Sequence, residues 1–300
     1  VSLFGNVISG NGQGMVSSVG GIRITGAAST GNLVRGNHIG ANSAGTAAIP
    51  NNLAGVSIAD ASSNEIGGPD PEDRNVISGN SQGVSISGAG ATGNTLRGNY
   101  IGTQVGGAAI LPNDGDGVSI AGAPNNVIGG TAAGERNIIS GNNGAGVSIS
   151  GAGAVYNSVR GNYIGTDVTG VADLGNGADG VLISGAGTNC VGGSFMMLSC
   201  FALAGSGNVI SGNGSDGVEI FGAGASGNHL LGNLIGTNAT GTAAIPNARG
   251  VLLSSAPDNF IGGTTAIGRN VISGNNAPGV QIANAGAAGN DIRGNYIGTD

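Results

Sequence analysis

The sequence predicts an all-β chain: a right-handed, single-stranded parallel β-helix of about nine coils, each with three short strands, in two-coil repeats of about 62 residues. Three observations predict it. The phrase Asn75-Val-Ile-Ser-Gly-Asn80 returns at Asn137 to Asn142 and, from Asn208 to Asn213, again at Asn270 to Asn275, each pair advancing by 62 positions, with Asn6 to Asn11 as an earlier copy. A fixed period of this length marks a solenoid or related array. Glycine is abundant, with 65 of 300 residues, yet 39% of residues are hydrophobic. That combination without a three-residue glycine period excludes collagen and a disordered linker alike. The third observation is the phrase Gly-Val-Xaa-Ile, which recurs at the spacing of one coil.

Its glycines stand at Gly21, Gly55, Gly83, Gly117, Gly146, Gly180, Gly217, Gly250 and Gly279, so long coils of 33 to 34 residues alternate with short ones of 28 to 29, apart from one gap of 37. Each coil holds three strand signals bounded by Gly and Asn, as in Val84-Ser-Ile86, Thr95-Leu-Arg97 and Tyr100-Ile101. Period-two alternation turns Val84, Ile86, Leu96 and Ile101 inward. Stacked about 4.8 Å apart, nine such coils make one continuous rod roughly 43 Å long over residues 1–300. Corners between strands need left-handed backbone, which Gly and then Asn tolerate best. Asn32, Asn64, Asn94, Asn126, Asn157, Asn189, Asn228, Asn259 and Asn290 recur at one corner, and stacked amides there form a hydrogen-bonded ladder.

These phrases, Asn-Xaa-Ile-Xaa-Gly-Asn and Gly-Val-Xaa-Ile, resemble the parallel β-helix repeats of the pectin-lyase-like superfamily, especially the long arrays of bacterial surface and secreted proteins. The resemblance covers nearly the whole chain and implies the fold. It does not choose an activity, since the superfamily spans polysaccharide lyases, glycoside hydrolases, epimerases, adhesins and phage tailspikes.

A net charge of -7 and a pI near 4.6 leave no basic stripe for nucleic acid. No apolar run is long enough to span a membrane. The outward position of Gly-Val-Xaa-Ile reads Arg23, Ser57, Ser85, Ser119, Ser148, Leu182, Glu219, Leu252 and Gln281, with a single carboxylate and no His. A hydrolase of this type needs at least a pair of acids about 5 to 9.5 Å apart. Catalytic residues are therefore expected to be absent. The nearest approach is Asp179, Asp216 and Arg249, one residue before the glycine in three consecutive coils, with Glu219 close by. They read as a charge-balanced surface ladder; otherwise Asp179 and Asp216 are calcium ligands or an acid pair. The run Asn113-Asp-Gly-Asp-Gly117 lacks the terminal Glu of an EF-hand loop and reads as a turn. No cofactor is expected beyond that calcium.

Cys190 and Cys200 bracket the one large insertion, Ser194 to Phe201, and suggest a disulfide in an oxidising compartment. His38 and His229 lie in different columns and read as surface residues. Arg35, Arg97, Arg160 and Arg293 share one row that Leu231 interrupts, and form a solvated face. Tyr100, Ile138, Tyr163, Leu234 and Tyr296 belong to an outward apolar stripe that needs a cover. Segments such as Ala108-Ala-Ile-Leu-Pro112 would fold back over it; otherwise the stripe is a lateral interface. Thr103, Thr166, Thr237 and Thr299 recur only every second coil, too sparsely for an ice-binding face. Neither end shows a cap, so the rod is expected to continue in a longer array or filament.

The expected function is a non-catalytic, extracellular or cell-surface structural or adhesive rod whose partners are further copies of itself. The alternative is a polysaccharide-active enzyme, lyase or hydrolase, or a carbohydrate-binding β-helix.

Overall fold

The computed structural model of the chain describes residues 1–12, 19–196 and 199–298; Met197, Leu198, Thr299 and Asp300 lie outside them. Three parallel sheets run the length of a right-handed β-helix. The first holds nine strands, from Ile22–Thr25 to Val280–Ala283, all built on the Gly-Val-Xaa-Ile phrase. The second holds ten, from Ser2–Phe4 to Asp291–Ile292, and the third ten, from Val7–Ile8 to Tyr296–Ile297. Among the described residues the only helical segments are two single turns, Pro71–Asp73 and Ala133–Glu135.

Register follows from the inward columns. Val118 pairs with Val84 on one side and Val147 on the other, and Ile120 with Ile86 and Ile149. Val84, Ile86, Leu96, Ile101, Val118 and Ile120 are all fully buried. Each such side chain contributes about 1.5 to 3 kcal/mol relative to exposure. A one-residue slip would turn every one of them to solvent. The glycine before each strand answers to space rather than to φ. A Cβ at Gly117 would lie 2.7 Å from Ile139 Cγ2 and 2.8 Å from both Asn142 Nδ2 and the Gly146 carbonyl.

The corner asparagines extend the sequence expectation in one way and correct it in another. The expected ladder, Asn32 to Asn290, is present, and two that the sequence reading did not name run beside it, Asn6 to Asn295 and Asn11 to Asn275. Left-handed backbone falls on the residue before the ladder Asn, as at Ser63, Gly93, Asn125, Tyr156 and Thr188. The asparagines are selected by hydrogen bonding instead. Asn137 shows the pattern: its Oδ1 accepts the Asn99 N–H at 2.9 Å and the Asn99 Nδ2 at 3.0 Å. Its own Nδ2 donates to the Leu96 carbonyl at 3.0 Å and to Asn162 Oδ1 at 2.9 Å.

The outward stripe of the third sheet is covered from within the chain, which corrects the lateral-interface alternative. Tyr100 and Ile138 are only 5% and 2% exposed, while Tyr163 and Leu234 are half-buried and Tyr296 is open. The covering segments are turns closed by the isolated bridges Thr103 to Ile110, Thr166 to Asp173 and Thr237 to Ala244. Successive turns also bond to one another, Val168 N–H to the Gly107 carbonyl and Ala239 N–H to that of Gly170, both at 2.9 Å. Serines pin their bases: Ser140 Oγ donates to the Thr166 carbonyl and accepts the Gly165 N–H.

Replacing Asn137 by Ala strands two donors and a carbonyl inside the rod, each worth about 1 to 3 kcal/mol. Asn137→Ala should lower unfolding free energy by about 3 kcal/mol or more in denaturant titrations, whereas the exposed Asn143→Ala should stay within about 0.5 kcal/mol.

Candidate functional site

Parallel pairing of the first sheet brings four charged side chains together on its outer face. Asp216 pairs with Arg249, and Glu219 lies between Leu182 and Leu252 in the outward column. Asp179, Asp216 and Glu219 each offer a carboxylate oxygen, and these atoms lie within 4.8 Å of one another. Asp179 and Asp216 are buried and Glu219 is half-buried. Arg249 grips Asp216 with two bonds, Nε to Oδ1 at 2.6 Å and Nη2 to Oδ2 at 3.0 Å. Asp179 Oδ1 accepts the Asp216 backbone N–H at 2.9 Å. Glu219 accepts no hydrogen bond among the described residues.

The cluster is therefore not the charge-balanced ladder read from the sequence. One guanidinium serves three acids and is spent on one of them. Burial, and then the neighbouring Asp216 charge, raise the Asp179 carboxyl above its ordinary value; burial is the largest cause for Glu219 too, with Asp179 and Asp216 adding to it. Arg249 is held more strongly protonated, first by its hydrogen bond to Asp216. The exposed ring of Phe221 stands two residues beyond Glu219 on the same face, an aromatic neighbour that the sequence reading overlooked. Near the N-terminus the same sheet carries a separate groove of about 440 Å³ lined by Arg23, Ser57, Ser85 and Ser87.

The other singled-out residues are structural. Cys190 and Cys200 form a disulfide with Cα atoms 5.9 Å apart, stapling an antiparallel hairpin of Ser194–Met196 and Ser199–Phe201. Leu231 interrupts the Arg row because it packs with Cys190 and Cys200 under that hairpin. The row is not a bare solvated face: Arg35 pairs with Glu65 at 2.7 Å, and Arg97 with Glu135 at 2.9 Å and Glu65 at 3.7 Å. Neither histidine is fully exposed; His229 stacks on Phe260 at 4.6 Å and burial lowers its pKa. Asn113 belongs to a ladder and Asp116 accepts the Ala145 N–H, so their run is a turn.

One set of contacts had a sequence signal that went unread. Arg74, Arg136 and Arg269 lie over Tyr100, Tyr163 and Tyr296, 4.0 to 4.3 Å from the ring centroids, and each Nε donates to a carbonyl of the same neighbouring coil. Where the tyrosine becomes Leu234, the residue before the Asn phrase becomes Gly207. Both partners change together, and that pairing was legible in the repeats.

No family model matches the chain, and no curated protein matches its sequence. Among solved structures it is similar to an alginate lyase from Paenibacillus sp. (14% identity, TM-score 0.38, covering 92% of this chain and 87% of that one). It is also similar to the A-module of the Azotobacter vinelandii mannuronan C-5 epimerase (15% identity, TM-score 0.30, 98% and 86%). A third is the Dettilon tailspike protein (14% identity, TM-score 0.20, 96% and 60%). The chain is a right-handed parallel β-helix repeat protein. The expectation of a non-catalytic rod rested on outward columns without clustered acids, and that ground is corrected by the convergence of Asp179, Asp216 and Glu219.

The raised carboxyls fix a pH dependence. Folded Glu219 and Asp179 bind their protons more tightly than the unfolded chain does, so stability falls as pH rises from the ordinary values of 4.5 and 3.8 through the folded ones. Below the ordinary values nothing is lost. Glu219→Gln should therefore raise the denaturant midpoint at pH 7 and leave it unchanged at pH 3.

Proposed function

We propose that the chain is a polysaccharide-active β-helix of the extracellular space, with its reaction centre on the outer face of the first sheet. The observation that carries this reading is the convergence of Asp179, Asp216 and Glu219 within 4.8 Å, beside an arginine that, of the three acids, hydrogen-bonds to Asp216 alone. Acid–base work on a glycosidic bond needs one carboxyl that keeps its proton and one that stays charged. Glu219 suits the first role, being raised in pKa and free of hydrogen bonds among the described residues. Asp216, in its ion pair with Arg249, suits the second. So close a set is nearer the separation of about 5 to 5.5 Å of a retaining pair than the wider spacing of an inverting one.

Two supports are independent of the acids. Phe221, exposed on the same face, offers a ring against which a sugar can pack. The disulfide fits an oxidising, extracellular setting. Calcium at Asp179 and Asp216 is a subsidiary proposal: oxygens within 4.8 Å can share an ion with ligand distances of about 2.3 to 2.6 Å.

Wild-type chain incubated with neutral and acidic polysaccharides, with and without calcium, should release new chain ends. Glu219→Gln should cut that rate by about 100-fold or more while the protein stays folded. Absence of turnover on every polymer, or full activity in the variant, refutes the assignment.

A further inference from the structure

The turn of chain that leads from Asp179 to Asp216 is tied to its neighbours differently from the rest of the rod. Two other short coils carry an acid and an arginine just before their Asn phrase, Asp73-Arg74 and Glu135-Arg136, and a third keeps the arginine as Arg269; here the same places hold Ser206 and Gly207. Among the described residues the ion-pair row that runs through Arg35, Glu65, Arg97 and Glu135 does not extend to an ion pair with Arg160, which feels Glu135 only at a distance and whose Nη1 bonds to Ser194 Oγ instead. The arginine-on-tyrosine contact is missing as well, since Leu234 stands where Tyr100 and Tyr163 stand elsewhere.

The disulfide hairpin occupies this gap. It closes the chain between Cys190 and Cys200, and Leu231 of the next coil packs beneath it with Phe195. On the other side Phe195 meets the Tyr156 ring edge-on at 5.5 Å, and Ser158 Oγ donates to the Gly193 carbonyl at 2.6 Å. The hairpin thus grips the coil before and the coil after.

We propose that the Cys190–Cys200 hairpin is a redox-controlled pin that holds the connecting coil, and with it Asp179 against Asp216 and Glu219, only while the disulfide is intact. The regulatory half of this inference rests on the proposed function; the pin itself does not. A small dithiol acts as reductant. Its thiolate attacks Sγ of Cys200, the less buried of the two residues, and Cys190 leaves as a thiolate. The second thiol of the reagent then displaces Cys200, giving two protein thiols and an oxidised cyclic disulfide.

Folded full-length chain is treated with dithiothreitol, and hydrogen exchange along the chain is read in parallel with polysaccharide turnover. A closed loop of this length restrains opening on the order of a hundredfold, so amides of residues 190–193 and 206–216 should exchange about that much faster. Those of 76–101 and 271–282 should not change. Turnover should fall at least tenfold and return on reoxidation, and the Cys190→Ser, Cys200→Ser double variant should behave as the reduced chain does with or without dithiothreitol. Unchanged exchange in the connecting coil, or equal acceleration along the whole rod, overturns the pin. Faster exchange with undiminished turnover overturns its control of the site. An oxidised chain that turns over no polysaccharide refutes the proposed function, and with it that control, while the exchange pattern still decides on the pin. If the double variant fails to fold, reduction of the wild-type chain gives the same decision.

Discussion

Everything in this rod depends on satisfying the backbone at its corners. A parallel strand hands on half its hydrogen bonds to each neighbour, but at a bend the peptide groups point away from both sheets and would be buried unpaired. An asparagine at each of the three corners meets this need, since one amide supplies an acceptor and two donors. Asn137 and Asn162 each take a backbone N–H on Oδ1, and Asn99, Asn137 and Asn162 each return an Nδ2 to a carbonyl of the preceding coil. With the corners settled, small aliphatic side chains suffice for the core.

Because the inner structure repeats so strictly, differences between coils are pushed to the outer layer. Ion pairs, arginine–tyrosine contacts, covering turns and the disulfide hairpin are alternative ways of tying one coil to the next. They are exchangeable, as the joint change at Gly207 and Leu234 shows. The acid cluster sits beside the coil where the usual ties have been given up. Burying Asp179 and Asp216 with a single guanidinium is costly, and a coil that carries such a cost requires support from somewhere else.

The fold was legible because its determinants are periodic. Val84, Ile86 and Leu96 announce their inward direction by alternation, and the phrases that flank them fix the coil length. The role of the ladder asparagines was half legible: their spacing was visible, but the left-handed residue proved to be the one before, with types as different as Tyr156 and Thr188, so no composition rule marks it. The candidate site was harder to read. Asp179 and Glu219 are 40 positions apart, and nothing in a list of outward residues tells how many bonds Arg249 will spend on Asp216. That depends on rotamers, which periodicity does not encode.

The ladders also give the rod a grain. In each of them Nδ2 of one coil donates to Oδ1 of the coil that follows it in sequence, so all the amides point the same way. A coil's corner donors are therefore filled by the coil ahead, and its carbonyls by amides reaching back from there. Damage at one asparagine is felt chiefly upstream: loss of the Asn137 side chain unpairs groups of Asn99 and Leu96, while Asn162 forfeits one donor and keeps the Asn137 backbone N–H. Viewed along its axis, the molecule is a stack of unlike faces, each leaning on its successor, and a defect travels through it in one direction.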